Sequence, residues 1–468
     1  MKIFATVMAA IVVGGCTLTP DYHRPRSALA NNPNANAPFV ADTSHVSRGQ
    51  PAGPWWRLYN DPLLDRLVED ALTANTDMRI AVANLNRASA QLDVVSDARL
   101  PQTDVGAEAT YGRASAEQQF VPQQLPNMGV YALLGSVSYQ VDLFGQVRRA
   151  VESAGANRDA TKAALAATRI AVVAQTVAAY LSVCSAGRET LVTRHAIDLQ
   201  IESTRLARRL ESRGRTGSLD VTRSLTQEYQ LRSSLPPLEA AKETALNHLA
   251  VLTGHPLAEL PAGVEACNQE PLIQQLIPVG DGRGLLARRP DIAAAEAELH
   301  AATADLGVAT ADLYPNVTLG ASGGSVGLIG HFADSDTYEF SIGPLISWHF
   351  PNRRRAHGQI AEAQAQIDAS VARFDARVLT ALEEVQSALD VYARDLDRMN
   401  DLHAAHASAT KADTDARALY TLGREGYLSV LDADRQLASI DQLVAAQQTK
   451  IANDQVQLFL ALGGGWQQ

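Results

Sequence analysis

The chain repeats itself in long form, and that duplication restricts its fold more than any single motif. "RGRTGSLDV" at Arg213 to Val221 returns as "LGREGYLSV" at Leu422 to Val430. Gly214, Gly217, Leu219 and Val221 recur as Gly423, Gly426, Leu428 and Val430. "QVRRA" ending at Ala150 returns as "NRRRA" ending at Ala356, and the Leu100-Pro101 turn returns as Tyr314-Pro315. Three landmarks recur in one order at an offset of about 210 residues, which describes a duplicated long unit and not a short-period solenoid.

Each copy reads as helix, β-hairpin, long helix, turn and long helix, a mixed α+β class. Asp61 can cap a helix with Pro62 in its first turn, and Leu64, Leu67, Val68 and Leu72 follow at helical spacing. That pattern runs on to Pro101, and its counterpart runs from Pro290 to just before Pro315. Strand-like stretches follow at Thr103 to Gly112, Tyr131 to Phe144, Asn316 to Gly327 and Thr337 to Phe350. In "YEFSIGPLISW", Tyr338, Phe340, Ile342, Pro344, Ile346 and Trp348 share one parity and Glu339, Ser341, Gly343, Leu345 and Ser347 the other, with only Leu345 spoiling the polar or small side. A strand with lipid on one side and a wet lumen on the other has this pattern, although Pro344 counts against a ladder position.

From Ala356 the apolar positions Ile360, Ile367, Val371, Phe374, Val378, Leu382, Val385, Leu389 and Tyr392 step mostly by three and four, as in coiled-coil packing. No proline or glycine interrupts Ile360 to Leu422, and sixty helical residues span about 90 Å. The first copy has its counterpart from about Ala150 to Arg213. Its return helix meets Pro236-Pro237, which is expected to end it, with a new helix beyond.

The N-terminus reads as an export signal. Lys2 precedes an apolar stretch from Ile3 to Val13, and "VGGC" places small residues before Cys16. Cys16 is the expected acylation site, and acyl chains would hold the protein to a membrane. The expected divisions are a signal peptide at 1–15, a lipid-anchored tether at 16–54, a first repeat at 55–260, a linker at 261–285, a second repeat at 286–462 and a tail at 463–468. Cys184 and Cys267 lie far apart in sequence, so no disulfide is expected, and Cys184 reads as a core residue. The net charge of -11, with only five lysines, argues against nucleic-acid binding. After the signal there is no run of eighteen apolar residues, so no spanning helix is expected.

Four strands cannot close a membrane barrel, and an open sheet would leave unpaired backbone groups in hydrocarbon. Strands that span a membrane here must therefore be shared between chains. Three chains give twelve strands, whereas two give eight around a narrow interior.

The stretches "WWRLYNDPLLDRLVEDAL", "DLFGQVRRAVESA", "RRPDIAAAEAELHAATADLGVATADLYP", "TALEEVQSAL", "YTLGREGYLSVLDADRQL" and "ALGGGW", in this order behind a lipobox, resemble the outer-membrane efflux lipoproteins of tripartite pumps. The resemblance implies a homotrimer with a twelve-stranded outer-membrane barrel continuous with a periplasmic helical barrel. It implies a periplasmic adaptor and an inner-membrane pump of the resistance-nodulation-division type as partners, with drugs or other toxic small molecules as cargo. Thr17 after Cys16 fits outer-membrane delivery. Related tunnels narrow near the second Gly turn with two acids one turn apart. Asp432 matches the second, Ser429 stands in place of the first, and Asp434 cannot share the face of Asp432. Asp220 and Arg223 occupy the related ground in the first copy and can pair with each other. Gly214, Arg215, Gly217, Gly423, Arg424 and Gly426 would form the adaptor-docking rim.

Arg148, Arg149, Arg353, Arg354 and Arg355 flank the strand-to-helix junctions, where they would meet lipid headgroups or a neighbouring chain. Tyr131, Tyr139 and Trp348 are candidates for an interfacial belt, and Trp55 and Trp56 for anchoring the tether. No catalytic set, phosphate loop or paired-histidine metal motif emerges, so neither an enzyme nor a cofactor is expected. Two other readings are a duct for heavy metals or secreted polypeptides and a non-conducting envelope lipoprotein.

Overall fold

The structure, a computed structural model, describes residues 21–40, 45–51, 53–256, 259–348, 350 and 353–464. The signal peptide and the acylation site expected at Cys16 lie outside them. The elements in order are strand β1 (Val46–Ser47), helices α1 (Pro62–Ala74) and α2 (Thr76–Ser96), strands β2 (Gln102–Gly112) and β3 (Met128–Val141), and helices α3 (Gln146–Ser212) and α4 (Ser218–Thr253). There follow β4 (Ile277–Pro278), α5 (Gly282–Arg288), α6 (Pro290–Ala311), β5 (Asn316–Leu328), β6 (Tyr338–Ser347), α7 (Arg353–Thr421) and α8 (Tyr427–Ala461). The chain divides into two compact units, one built on residues 84–162 and 294–374 with the N-terminal stretch, the other on 26–83, 163–293 and 375–468.

The first unit holds an antiparallel sheet of order β2-β3-β5-β6. Its register separates two chemistries. Val105, Gly135, Gly323 and Phe340 form one row across the sheet, and Asp104, Ser136, Ser322 and Ser341 the next. Because side chains alternate, the first row's face also carries Ala107, Leu133, Val137, Leu319 and Ile342. The opposite face carries Glu108, Ser138, Thr318 and Glu339, and there Ser322 and Ser341 share a hydroxyl bond of 2.8 Å. The apolar face is uncovered: Phe340 is 86% exposed, Ile342 82% and Val105 81%. Among the described residues the outer edges of β2 and β6 have no strand beside them. Pro344 sits in β6 opposite Leu319, and β6 is such an edge, where a missing donor costs least.

Tyr131 is not free to serve as a belt residue. Its hydroxyl lies 2.6 Å from Ser325 Oγ and accepts from the Ala333 amide at 2.8 Å, and the residue is buried with its ring centre 4.8 Å from that of Phe332. It fastens the β5–β6 connection. Arg149 is likewise buried and paired with Asp21 and Glu152 at 3.1 and 2.6 Å, so the expectation of a headgroup or interchain partner fails for this arginine.

The second unit is helical. Asp61 caps α1 by accepting from the Leu63 and Leu64 amides, and also takes the Tyr180 hydroxyl at 2.8 Å. Leu64, Leu67, Val68 and Ala71 are wholly buried, and Trp55 stacks on Phe459 with ring centres 4.6 Å apart. The first helical stretch breaks at Asn75, where continuity to Pro101 was expected. The Asn75 side chain caps α2 at the Asp77 and Met78 amides and donates to Leu252 O, bonds that outweigh an unbroken helix. In α7, Phe374, Val378, Ala381, Val385, Leu389 and Tyr392 form a buried stripe.

Two expectations are overturned in this unit. Cys184 on α3 and Cys267 in the inter-repeat segment form a disulfide. They are 83 residues apart, a separation that hides the pairing, but Gly187 lets the backbones meet: a Cβ there would stand 2.2 Å from Cys267 O. A disulfide suits an exported chain. The proline pair does not end a helix either, because α4 runs through Pro236 and Pro237. Both prolines and the residues whose carbonyls they orphan, Arg232 and Ser233, are exposed, so water replaces the lost donors. Leu231 and Leu235 meanwhile keep the helix packed on Ala196 and Ile197.

Candidate functional site

The two Gly turns are one structure built twice. After α3, Gly214 takes φ +66°, its amide bonds Glu211 O at 2.8 Å, and the Arg215 amide bonds Leu210 O at 2.9 Å. After α7, Gly423 takes φ +69°, its amide bonds Tyr420 O at 2.9 Å, and the Arg424 amide bonds Leu419 O at 2.9 Å. This left-handed stop favours glycine. Gly217 and Gly426 do a different job: both adopt ordinary extended φ and stand at the N-caps of α4 and α8. Arg215 and Arg424 are exposed at equivalent places.

Just beyond, the copies make the same bridge with donor and acceptor exchanged. In the first, the Thr216 hydroxyl donates to Asp220 Oδ2. In the second, the Ser429 hydroxyl donates to Glu425 Oε2 at 2.9 Å. Asp220 also approaches Arg223, at 3.7 Å. Asp432 occupies the position equivalent to Arg223, but Ser429 offers it no charge. Among the described residues Asp432 has no hydrogen-bond or ion-pair partner, and it is exposed. Asp432 and Ser429 thus lie together on α8, and Asp220 and Arg223 together on α4.

A cluster the sequence reading passed over lies on the other side of α8. Arg417 of α7 donates to both oxygens of Asp413, at 2.9 and 3.0 Å, and to Asp434. Asp434 also accepts from Ser203 Oγ of α3 at 3.1 Å, and the Tyr427 hydroxyl donates to Ser203 O at 2.6 Å. Burial pushes the Tyr427 phenol up to about 12. Beneath the cluster Tyr427, Val430, Leu431 and Ala207 form a small core with Val221 and Tyr420. The helical face opposite Asp432 was the only available signal, and it had marked Asp434 merely as misplaced for an acidic ring. No group of three metal-ligating side chains occurs among the described residues.

Comparison with known proteins gives this architecture its setting. The family model for the outer membrane efflux protein matches residues 67–255 and 283–464. The solvent efflux pump outer membrane protein SrpC of Pseudomonas putida is 30% identical over 482 residues, covering 98% of this chain and 97% of that protein. Outer membrane protein OprJ of Pseudomonas aeruginosa is 29% identical over 467 residues, covering 99% and 95%. Among solved structures, the outer-membrane channel OprN gives a TM-score of 0.89 at 33% identity, with 97% of this chain and 100% of that one aligned. The open-state MtrE channel of Neisseria gonorrhoeae gives 0.83 at 25% identity, with 96% and 98% aligned.

Proposed function

Because this chain belongs to the outer membrane efflux protein family, we propose that three copies close one barrel and conduct small toxic molecules out of the cell. The protein is an outer-membrane channel component of an efflux system, reaching into the periplasm. The observation that carries the trimer is the open four-stranded sheet, apolar on one exposed face and polar on the other, with both edges unpaired among the described residues. Hydrocarbon does not tolerate such edges. Joining β6 of each copy to β2 of the next removes them, and twelve strands leave room for a wet lumen.

The long helices then form the periplasmic conduit, with the Gly turns as a six-part rim for a periplasmic adaptor. Arg215 and Arg424 give that rim its positive charge. An inner-membrane pump of the resistance-nodulation-division type supplies the cargo, and acyl groups on Cys16 add an anchor. Asp432, unpaired and exposed, supports a narrow acidic ring: three copies on the axis would repel one another and attract cations. The name of the Pseudomonas putida relative SrpC points to solvents as cargo. The test is the mass of the purified protein in mild detergent, expected at three times that of the processed chain, which is smaller than the 50.0 kDa of the full sequence, together with planar-bilayer recording. A monomer, or a trimer that never conducts, would overturn the reading.

A further inference from the structure

Between α7 and α8 the polar contacts are not scattered. Three of them are charged rungs in sequence order, and beyond these Gln455 Nε2 donates to the Tyr392 hydroxyl at 3.3 Å. At the turn end stands the Asp413–Arg417–Asp434 cluster. Next, His406 Nε2 lies 2.9 Å from Asp441 Oδ1. Farther along, Asp395 is buried, lies 3.0 Å from Lys450 Nζ, and accepts from Gln447 Nε2 at 2.9 Å, while its carboxyl meets that of Asp454. The outer rungs share one composition: two carboxyls, one from each helix, and a single cation. Two ionised carboxylates against one cation leave a net buried negative charge, which is costly, and a proton held between the carboxyls removes it.

We propose that α7 and α8 are held together by a proton-operated clasp, in which Asp413–Asp434 and Asp395–Asp454 each retain one proton across the interface and its loss loosens α8. Burial and the neighbouring Asp413 push Asp434 up to about 7, against the pull of Arg417. Burial and Asp395 push Asp454 up to about 7, against Lys450. Asp395 is held low: burial would raise it, but the bonds from Lys450, Gln447 and Asp454 prevail. The other polar or titratable groups facing the turn-end pair are Ser203 of α3, Tyr420 of α7, and Tyr427 and Arg435 of α8; Tyr392 of α7 faces the far pair. Of these only Arg435 is a cation, and like Arg417 and Lys450 it is exposed.

A cavity of about 540 Å³ reaches Asp413, Asp434, His406 and Asp441, so water can deliver and remove protons at the first two rungs. The sign follows from linkage. The clasped helices hold protons that separated carboxyls, with ordinary values near 4, would release, so the clasp is strongest in acid and weakens as pH rises through about 7. The element released is the one that carries Gly426, Ser429 and Asp432.

Hydrogen exchange of the full-length protein in detergent tests this without relying on conductance, so failure here is separable from failure of the duct reading. Protection factors, corrected for intrinsic exchange rates, are compared at pH 6 and pH 8.5 for Tyr427–Ala461 and, as a control, for α6. The wild type is expected to lose at least tenfold protection in α8 and little in α6. In D434N/D454N, where neutral amides stand in for the protonated acids, α8 stays protected at both pH values. The single variants D434N and D454N each remove part of the change. A wild type indifferent to pH, or a double variant that keeps the full dependence, would overturn the clasp.

Discussion

Asp432 and Asp434 sit two residues apart on α8 yet belong to different chemistries. A helix turns about 200° over that interval, so one acid faces outward unpaired while the other is drawn into a hydroxyl and guanidinium cage. Among the described residues Asp432 has no partner to favour an acid there, whereas its first-copy equivalent, Arg223, pairs with Asp220. That imbalance is what an interchain role would leave behind. Asp432→Ala is expected to raise single-channel conductance and to lower preference for cations, while the thermal midpoint stays within a degree or two; planar-bilayer recording and a melting curve check the two halves. Exposed single substitutions of this sort typically change stability by no more than about 0.5 kcal/mol. The glycines divide in the same way: Gly214 and Gly423 are demanded by positive φ, whereas Gly217 and Gly426 are N-caps that other small polar residues could supply.

At the scale of elements, the disulfide is the largest feature added by the structure. It ties α3 to the inter-repeat segment across 83 residues. Replacing both cysteines by serine is expected to cost about 2–4 kcal/mol, chiefly by freeing the unfolded chain. A lowered thermal midpoint in the C184S/C267S variant, matched by the wild type under reductant, would show it. Strands and long helices were legible because their periods are local: alternation in "YEFSIGPLISW" and steps of three and four along α7 need no knowledge of partners. The Gly turns were legible because duplication supplied an internal control. The disulfide was not, since spacing carries no pairing information across 83 residues. The fate of Pro236 and Pro237 was not legible either. Whether a proline breaks a helix depends on whether the carbonyls it orphans meet water, and that is decided by which face the neighbouring helices cover. The carboxyl pairs escaped for the same reason: Asp395 and Asp454 are ordinary surface acids until two helices align them.

For the whole molecule, the sheet and the helical hairpins ask for different things. The helical unit buries its own core and makes its own covalent tie. Among the described residues the sheet leaves both outer edges unpaired and its apolar face uncovered, which the proposed barrel would satisfy. In the proposed trimer the helical unit, with a core and a covalent tie of its own, could fold before the sheets join. The polar face of the sheet has a further consequence, electrical in kind. It carries Asp104, Glu108 and Glu339, and β2, β3, β5 and β6 contain neither lysine nor arginine. In a closed trimer those three carboxylates per chain become nine around a single water column, with no fixed positive charge in the strands to balance them. Counter-ions must fill that column, so salt itself becomes part of the passage. Under a tenfold potassium chloride gradient the reversal potential is expected on the cation side, shrinking as ionic strength rises, and it should persist in part in the Asp432→Ala variant. An anionic solute would then cross only with cations beside it, whereas a hydrophobic cation would find the wall already prepared for it.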